Sequence, residues 1–415
     1  MVDATPYIDR ARLARFSEVL AVAVAVSLPW STSATSILIV AWLFALIPTL
    51  SWTDLRRELT TAAGGLPVLL VVFGLVGMLW ADVTLFERWQ GFGSFLKLLV
   101  IPLLFTQFRR SDGGARVFAG YLWSCIVLLV ASTIVLAVPQ LAASLMHYDY
   151  VLAKNAATQS GEFTTCIFGL LFLGICAFER RQWWLALGML AVVLGMLANM
   201  VFVATGRTAL IVILVLLAVF AARQLRARGI VILFAVTIAI GIVAWLSSGY
   251  LRDRTLDVYR EIQRSQTTAS SSGERIEFDK KSIAFIRAAP LIGHGTGSIT
   301  SLFEAAAIGQ TGSAATVTTN PHNQTFAVAI QLGLLGVGVL WAMWMAHLWL
   351  FRGPGLAEWI GLVIVVQNIV GSLFNSHLFD FLQGWVYVFG VGVAGGMALQ
   401  KCEPSIVRES ADPRC

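Results

Sequence analysis

Apolar runs long enough to cross a lipid bilayer recur along nearly the whole chain, separated by short polar connections. A hydrocarbon core about 30 Å thick requires roughly 20 apolar residues per helical crossing, somewhat fewer where it is thin. Lipid offers no hydrogen bonds to a bare backbone, so such segments must satisfy their own amides as helices. Candidate spans lie near 16–31, 35–50, 66–81, 91–107, 116–137 and 163–179, then 183–203, 207–223, 229–247, 333–351, 355–372 and 382–399. The pattern describes an all-α polytopic membrane protein with about twelve transmembrane helices. The first two runs are short, so eleven or thirteen crossings also fit.

The connections alternate in charge. Arg56 and Arg57, Arg109 and Arg110, Arg180 and Arg181, and the trio Arg223, Arg226 and Arg228 occupy every second one, while the short connections between them are poor in Lys and Arg. Together with the basic N-terminus and Lys401, Arg408 and Arg414 in the tail, this bias puts both termini in the cytoplasm of an inner-membrane protein. The first apolar stretch follows Arg10, Arg12 and Arg15 and reads as an uncleaved signal anchor.

Charged residues make up 13% of the chain and hydrophobic ones 58%, against roughly 25% charged in soluble domains. The net charge of +6 is spread over short clusters rather than one face, so nucleic acid is not an expected partner. None of the five cysteines lies in a long extra-membrane loop, and no disulfide framework is expected.

The expected layout is nine spans over 1–247, a non-cytoplasmic loop over 248–322, three spans over 323–400 and a cytoplasmic tail over 401–415. A smaller non-cytoplasmic segment, about 138–162, carries His147, Tyr148, Tyr150 and Lys154. In the large loop, Leu251, Leu256, Tyr259 and Ile262 recur at helical spacing. A second loop helix starts at Ser271, with Glu274 placed for a capping box, and ends before Pro290. Ile276, Ile283 and Ile286 are expected to form its apolar face.

An ionisable side chain in or at the edge of a span is costly unless paired or functional. Arg207 opens a span in Thr205-Gly206-Arg207-Thr208, at the end where the positive-inside bias disfavours arginine. Its guanidinium can fork onto phosphate oxygens; the bland alternative is an arginine snorkelling to the interface. Arg275 sits at a helix start, where a cation is mildly unfavourable and an anionic ligand or a neighbouring carboxylate would compensate it. His322, in Asn320-Pro321-His322-Asn323, stands at the mouth of an apolar helix; it suits proton transfer near neutral pH, or else caps the helix. His377 and Asp380 lie in the polar patch between the last two spans, and His294 is expected on the same face. Lys97 interrupts the fourth span, with Arg88 just outside it. His347, near the other end, is expected to be structural. No metal-ligand spacing is present, and Gly293-His294-Gly295-Thr296-Gly297 follows no strand, so it is a weak nucleotide signal.

These features resemble the O-antigen ligase and O-antigen polymerase superfamily of bacterial envelope glycosyltransferases. The matching residues are Thr-Gly-Arg-Thr at 205–208 opening a span, the large loop, and Arg275 followed by Ala288-Ala289-Pro290-Leu291-Ile292-Gly293-His294-Gly295. Pro-His-Asn at 321–323, running into Gly-Leu-Leu-Gly at 333–336, completes them, so the likeness is specific over about 205–340. The resemblance implies a GT-C-like bundle with a mainly helical periplasmic loop. It also implies an inverting, metal-independent transfer of glycan from undecaprenyl diphosphate, without a cofactor. On the same basis His322 is the expected base or acceptor-activating residue, Arg207 and Arg275 bind the diphosphate, and lipid A-core is the acceptor. Lys97, Arg88, Asn323, His377 and Asp380 are secondary candidates. A polymerase of the same superfamily and a lipid-linked oligosaccharide transporter are the alternatives; the transporter expects pseudo-symmetric halves, which the sequence lacks.

Overall fold

The computed structural model describes residues 9–138, 151–152, 155–204, 206–247, 249 and 271–401. The expected helix over 251–264, the cluster from His147 to Lys154, Thr205 and the C-terminal tail beyond Lys401 lie outside the described residues. In chain order the helices are α1 (Arg10–Ser27), α2 (Thr32–Leu46), α3 (Trp52–Leu59), α4 (Ala62–Val76), α5 (Leu85–Leu96), α6 (Val100–Phe108), α7 (Gly114–Ala137) and α8 (Ala156–Glu179). They continue with α9 (Trp183–Phe202), α10 (Arg207–Gln224), α11 (Ala227–Ser247), α12 (Ser271–Ala288), α13 (Ile299–Ala307), α14 (Gln324–Leu350), α15 (Leu356–Gly371) and α16 (Phe381–Lys401). No strand occurs among the described residues.

Nine helical segments among the described residues are long and apolar enough to cross a membrane. The shorter apolar helices Thr208–Gln224 and Leu356–Gly371 stand at two further expected positions. The remaining position is held by α1, whose first half carries Arg10, Arg12, Arg15 and Glu18. Burial separates centre from rim: the α16 segment is 78% buried, against 22% for Trp183–Phe202. Trp42, Trp344, Trp359 and Tyr387 are fully enclosed in the core.

Two boundaries differ instructively from expectation. The segment 138–162 was expected outside the membrane, yet α8 begins at Ala156, capped by the Asn155 side chain on the Thr158 amide at 2.8 Å. Its polar first turns face inward and pair within the bundle. Gln159 donates to Asn199 at 2.8 Å, Asn199 donates to Ser132 at 2.8 Å, and Glu162 accepts from the Tyr121 hydroxyl. Internal pairing lowers the cost that made these residues read as a loop, although Gln159 Oε1 and Glu162 Oε1 have no hydrogen-bond partner among the described residues. On α12, Phe278 is buried and packs with Phe285, Ile286 and Phe303, whereas Ile276 and Ile283 are 38% and 40% exposed. Of the expected isoleucine face only Ile286 packs inward; the aromatic side chains, burying more area, take the places expected of Ile276 and Ile283.

Helix α14 begins nine residues before the expected span and breaks at Gly333, where φ is 62°. The Gly-rich turn repairs the break. His294 and Gly295 amides donate to Ile330 and Gln331 carbonyls at 2.8 and 2.9 Å, the acceptors that Leu334 and Leu335 would use in an unbroken helix. Leu334 and Leu335 donate instead to Pro290 and Leu291 carbonyls, at 2.8 and 3.3 Å. A Cβ on Gly333 would stand 2.2 Å from the Leu291 oxygen, and one on Gly293 2.5 Å from the Gln331 carbonyl carbon. The turn therefore splices the loop into the membrane bundle, and its glycines serve backbone approach.

At the opposite end, Glu58 is fully buried, and its Oε1 accepts from Arg109 at 2.9 Å and Arg57 at 3.0 Å. Two of the arginine-rich connections are thereby locked to one carboxylate.

Candidate functional site

The site is built where α14 enters the bundle. Asn323 caps that helix through its Oδ1 on the Phe326 amide at 3.2 Å. Gln324, fully buried, donates its backbone amide to the Ser372 carbonyl at 2.9 Å. Its Oε1 accepts the Leu378 and Phe379 amides at 2.9 and 3.2 Å. These bonds fasten the 320–323 segment to the turn between α15 and α16.

His322 is held with φ at 57°, a left-handed conformation that few non-glycine residues adopt. Strain of this kind costs about 1–3 kcal/mol and persists only where surrounding contacts impose it. Here the His322 amide donates to the Asn320 side chain at 2.9 Å, and Asn320 Nδ2 donates to Asn375 Oδ1 at 2.7 Å. The imidazole Nδ1 lies 3.0 Å from the same Asn375 oxygen. An amide oxygen only accepts, so Nδ1 carries the hydrogen and Nε2 keeps its lone pair. Phe278 stacks on the ring, with centroids 5.9 Å apart and planes 16° apart.

Phe278 and Arg275 are one helical turn apart, so the packing of α12 that supplies the stacking partner also brings the guanidinium to the histidine. Burial first, and then Arg275, hold the His322 imidazole below its ordinary range, against the opposing effects of the Asn375 hydrogen bond and Glu274. His322 is therefore a neutral base at neutral pH. Asp279 is raised by burial, with Arg275 acting against the shift.

Arg275, His322, Asn375 and His377 line one cavity of about 120 Å³, closed by Thr164 and Gln367 from the spans and by Thr208 from the start of α10. His377 is pushed down to about 4, chiefly by burial and against the pull of Asp380. Its Nδ1 has no hydrogen-bond partner among the described residues. Arg207 is the first residue of α10, directly before Thr208; its side chain lies outside what the structure describes.

The other candidates stand elsewhere. Arg88 donates to the carbonyls of Val83 and Met78 at 3.0 and 2.9 Å, bracing the turn before α5. Lys97, 8% exposed, donates to the Asp380 and Phe379 carbonyls at 2.7 and 3.3 Å and lines a different cavity. Asp380 caps α16 through the Gln383 amide at 3.2 Å and borders a neighbouring cavity. His294 bonds the Phe285 carbonyl at 2.9 Å, and His347 is enclosed between the Tyr387 hydroxyl and the Ala63 carbonyl. Asn375 and Phe278, the residues that fix the imidazole, carried no sequence signal of their own role. Only the polar Asn-Ser-His run between two spans pointed toward Asn375.

The arrangement offers a cation, a neutral imidazole with a free lone pair, and polar walls at the end of the bundle where α14 begins. It can receive a hydroxyl proton beside a group that stabilises an oxyanion. A family model described as O-antigen ligase matches residues 191–342. The matched stretch holds Arg207, Arg275 and His322 but ends before Asn375, His377 and Asp380. No curated protein matches the chain.

Proposed function

We propose that this member of the O-antigen ligase family transfers a glycan from undecaprenyl diphosphate to lipid A-core at the periplasmic face of the inner membrane. The observation that carries the reading is the meeting of Arg275 and His322 in one cavity beside the first turn of α10, within the matched region. The bundle is taken as twelve crossings with both termini cytoplasmic, which turns the cavity toward the periplasm.

In the proposed step the acceptor hydroxyl attacks the anomeric carbon opposite the diphosphate, so configuration inverts. The new glycosidic bond forms as the bond from carbon to diphosphate oxygen breaks, and the diphosphate leaves with the electron pair. His322 Nε2 takes the hydroxyl proton, while Asn375 holds the other ring nitrogen and so the tautomer. Arg275 and Arg207 neutralise the departing diphosphate, a role guanidinium groups fill without a metal.

A loss-of-function strain tests the reading. A ligase defect leaves uncapped lipid A-core and accumulated lipid-linked glycan; a polymerase defect leaves cores bearing one repeat. Purified protein should transfer glycan in detergent with EDTA present, which a transporter does not do. Full activity in His322→Ala would overturn the assignment of the base.

A further inference from the structure

A second cavity, of about 360 Å³, adjoins the His322 cavity and has a different chemistry. Consecutive residues divide between the two: Asn320 and Pro321 line the larger cavity and His322 the smaller, while Ser376 faces the larger between Asn375 and His377 on the smaller. The larger cavity is walled by Gln90 and Ser94 of α5, Thr300 of α13, Asn320, Ser376 and Asp380, with Glu87 at its rim. Among the described residues no lysine or arginine lines it. Lys97 lines a separate cavity that shares Gln90, Ser94, Phe379 and Phe381 with this one, and its ammonium is held on the Phe379 and Asp380 carbonyls.

Hydroxyls, side-chain amides and carboxylates beside the aromatic rings of Phe379 and Phe381 make a surface suited to sugar hydroxyls and unsuited to phosphate. The volume falls within the roughly 300–1,000 Å³ range of small-ligand sites. One wall group is also left waiting: Ser376 is only 2% exposed, and its Oγ has no hydrogen-bond partner among the described residues. A buried hydroxyl without a partner destabilises the free protein, and a ligand hydroxyl would relieve that cost.

We propose that this cavity is the subsite for an uncharged sugar ring of the acceptor, and that it rejects phosphorylated or acidic sugars there. The assignment rests on the transferase reading. It gives the two cavities separate tasks, the cationic one for the donor diphosphate and the acidic, hydroxyl-rich one for the acceptor sugar. The two carboxylates, Glu87 and Asp380, would repel an anionic sugar.

The test measures binding of deacylated lipid A-core saccharide, in dephosphorylated and phosphorylated forms, to the full chain in lipid nanodiscs. Ser94→Trp fills the cavity; Thr300→Ala removes one hydroxyl with little risk to folding, and thermal unfolding checks both. We expect the dephosphorylated saccharide to bind more tightly than the phosphorylated one. Ser94→Trp should weaken it by at least about tenfold, and Thr300→Ala should raise the acceptor KM several-fold at unchanged kcat and donor KM. Arg275→Ala should leave saccharide binding within about twofold of wild type. The subsite is overturned if the wild-type protein binds no saccharide, if Ser94→Trp binds it as well as wild type, or if the phosphorylated form binds better. Saccharide binding lost in Ser94→Trp, in a protein that transfers no glycan from any lipid-linked donor, would support the subsite while refuting the reaction.

Discussion

At the scale of the residue, His322 is set by three neighbours from two other parts of the chain: Asn375 from the α15–α16 turn, and Phe278 and Arg275 from α12. His322→Ala should lower kcat by about 10²–10⁴-fold, read in a purified transfer assay, if the imidazole is the base. The pH profile gives a finer test. The base works as neutral imidazole, so activity falls as pH drops through its pKa, and burial and Arg275 place that acid limb below the ordinary histidine range. Removing the nearby positive charge in Arg275→Gln favours imidazolium, raises the pKa and moves the limb to higher pH. Asn375→Ala removes a bond that favours the charged form and should move the limb lower, with reduced kcat because the ring loses its anchor. Limbs that do not move in opposite directions would refute this account of the histidine's surroundings.

Elements matter here through their ends and breaks. The spliced break in α14 brings the 290–297 turn against the membrane helices: Thr296 Oγ donates to the Gly74 carbonyl at 2.6 Å, and its amide to the Gly77 carbonyl at 3.0 Å. Gly333→Ala should destabilise the protein by about 1–3 kcal/mol or more, because its φ is left-handed and its Cβ would strike the Leu291 carbonyl. Thermal unfolding in detergent measures it, and activity should fall with it if the turn positions the loop. At the other end, Glu58→Gln removes the buried charge that pairs with both Arg57 and the partly buried Arg109. A loss of about 3 kcal/mol in the same assay is expected. An unchanged unfolding temperature would refute a stabilising role for this buried pairing.

Taken whole, the molecule sorts its polar groups by end. Arginine–carboxylate locks such as Glu58 with Arg109 stand at one end, and the two cavities with the loop stand at the other. Topology follows from that sorting and can be measured directly. A cysteine replacing Glu304, on the loop, should react with an impermeant maleimide in intact spheroplasts. One replacing Glu179, beside the arginine pair, should react only after permeabilisation. The reverse pattern would place the site in the cytoplasm and remove the proposed function with it.

Hydrophobic periodicity and the alternating arginines were sufficient to determine an all-helical membrane bundle, because lipid tolerates only helices and closed barrels and apolar runs of this length are too long for barrel strands. They also pointed to Arg275 and His322 as charges or bases standing where a membrane protein should not need them. Local sequence could not tell which polar residues meet. His322 and Asn375 are 53 positions apart, and only the packing of the α14 entry against the α15–α16 turn makes them partners. The polar start of α8 read as a loop because its pairing groups lie on α7 and α9, out of sight of any window along the chain. The glycines near 293 read as a weak ligand signal, and tertiary structure made them the splice of a broken helix. Lys97 and Arg88 read as secondary site candidates until the fold supplied carbonyls to them. Solvent chemistry acts on each residue independently and can be read from sequence; hydrogen-bond satisfaction is a property of pairs, and only the folded chain decides it.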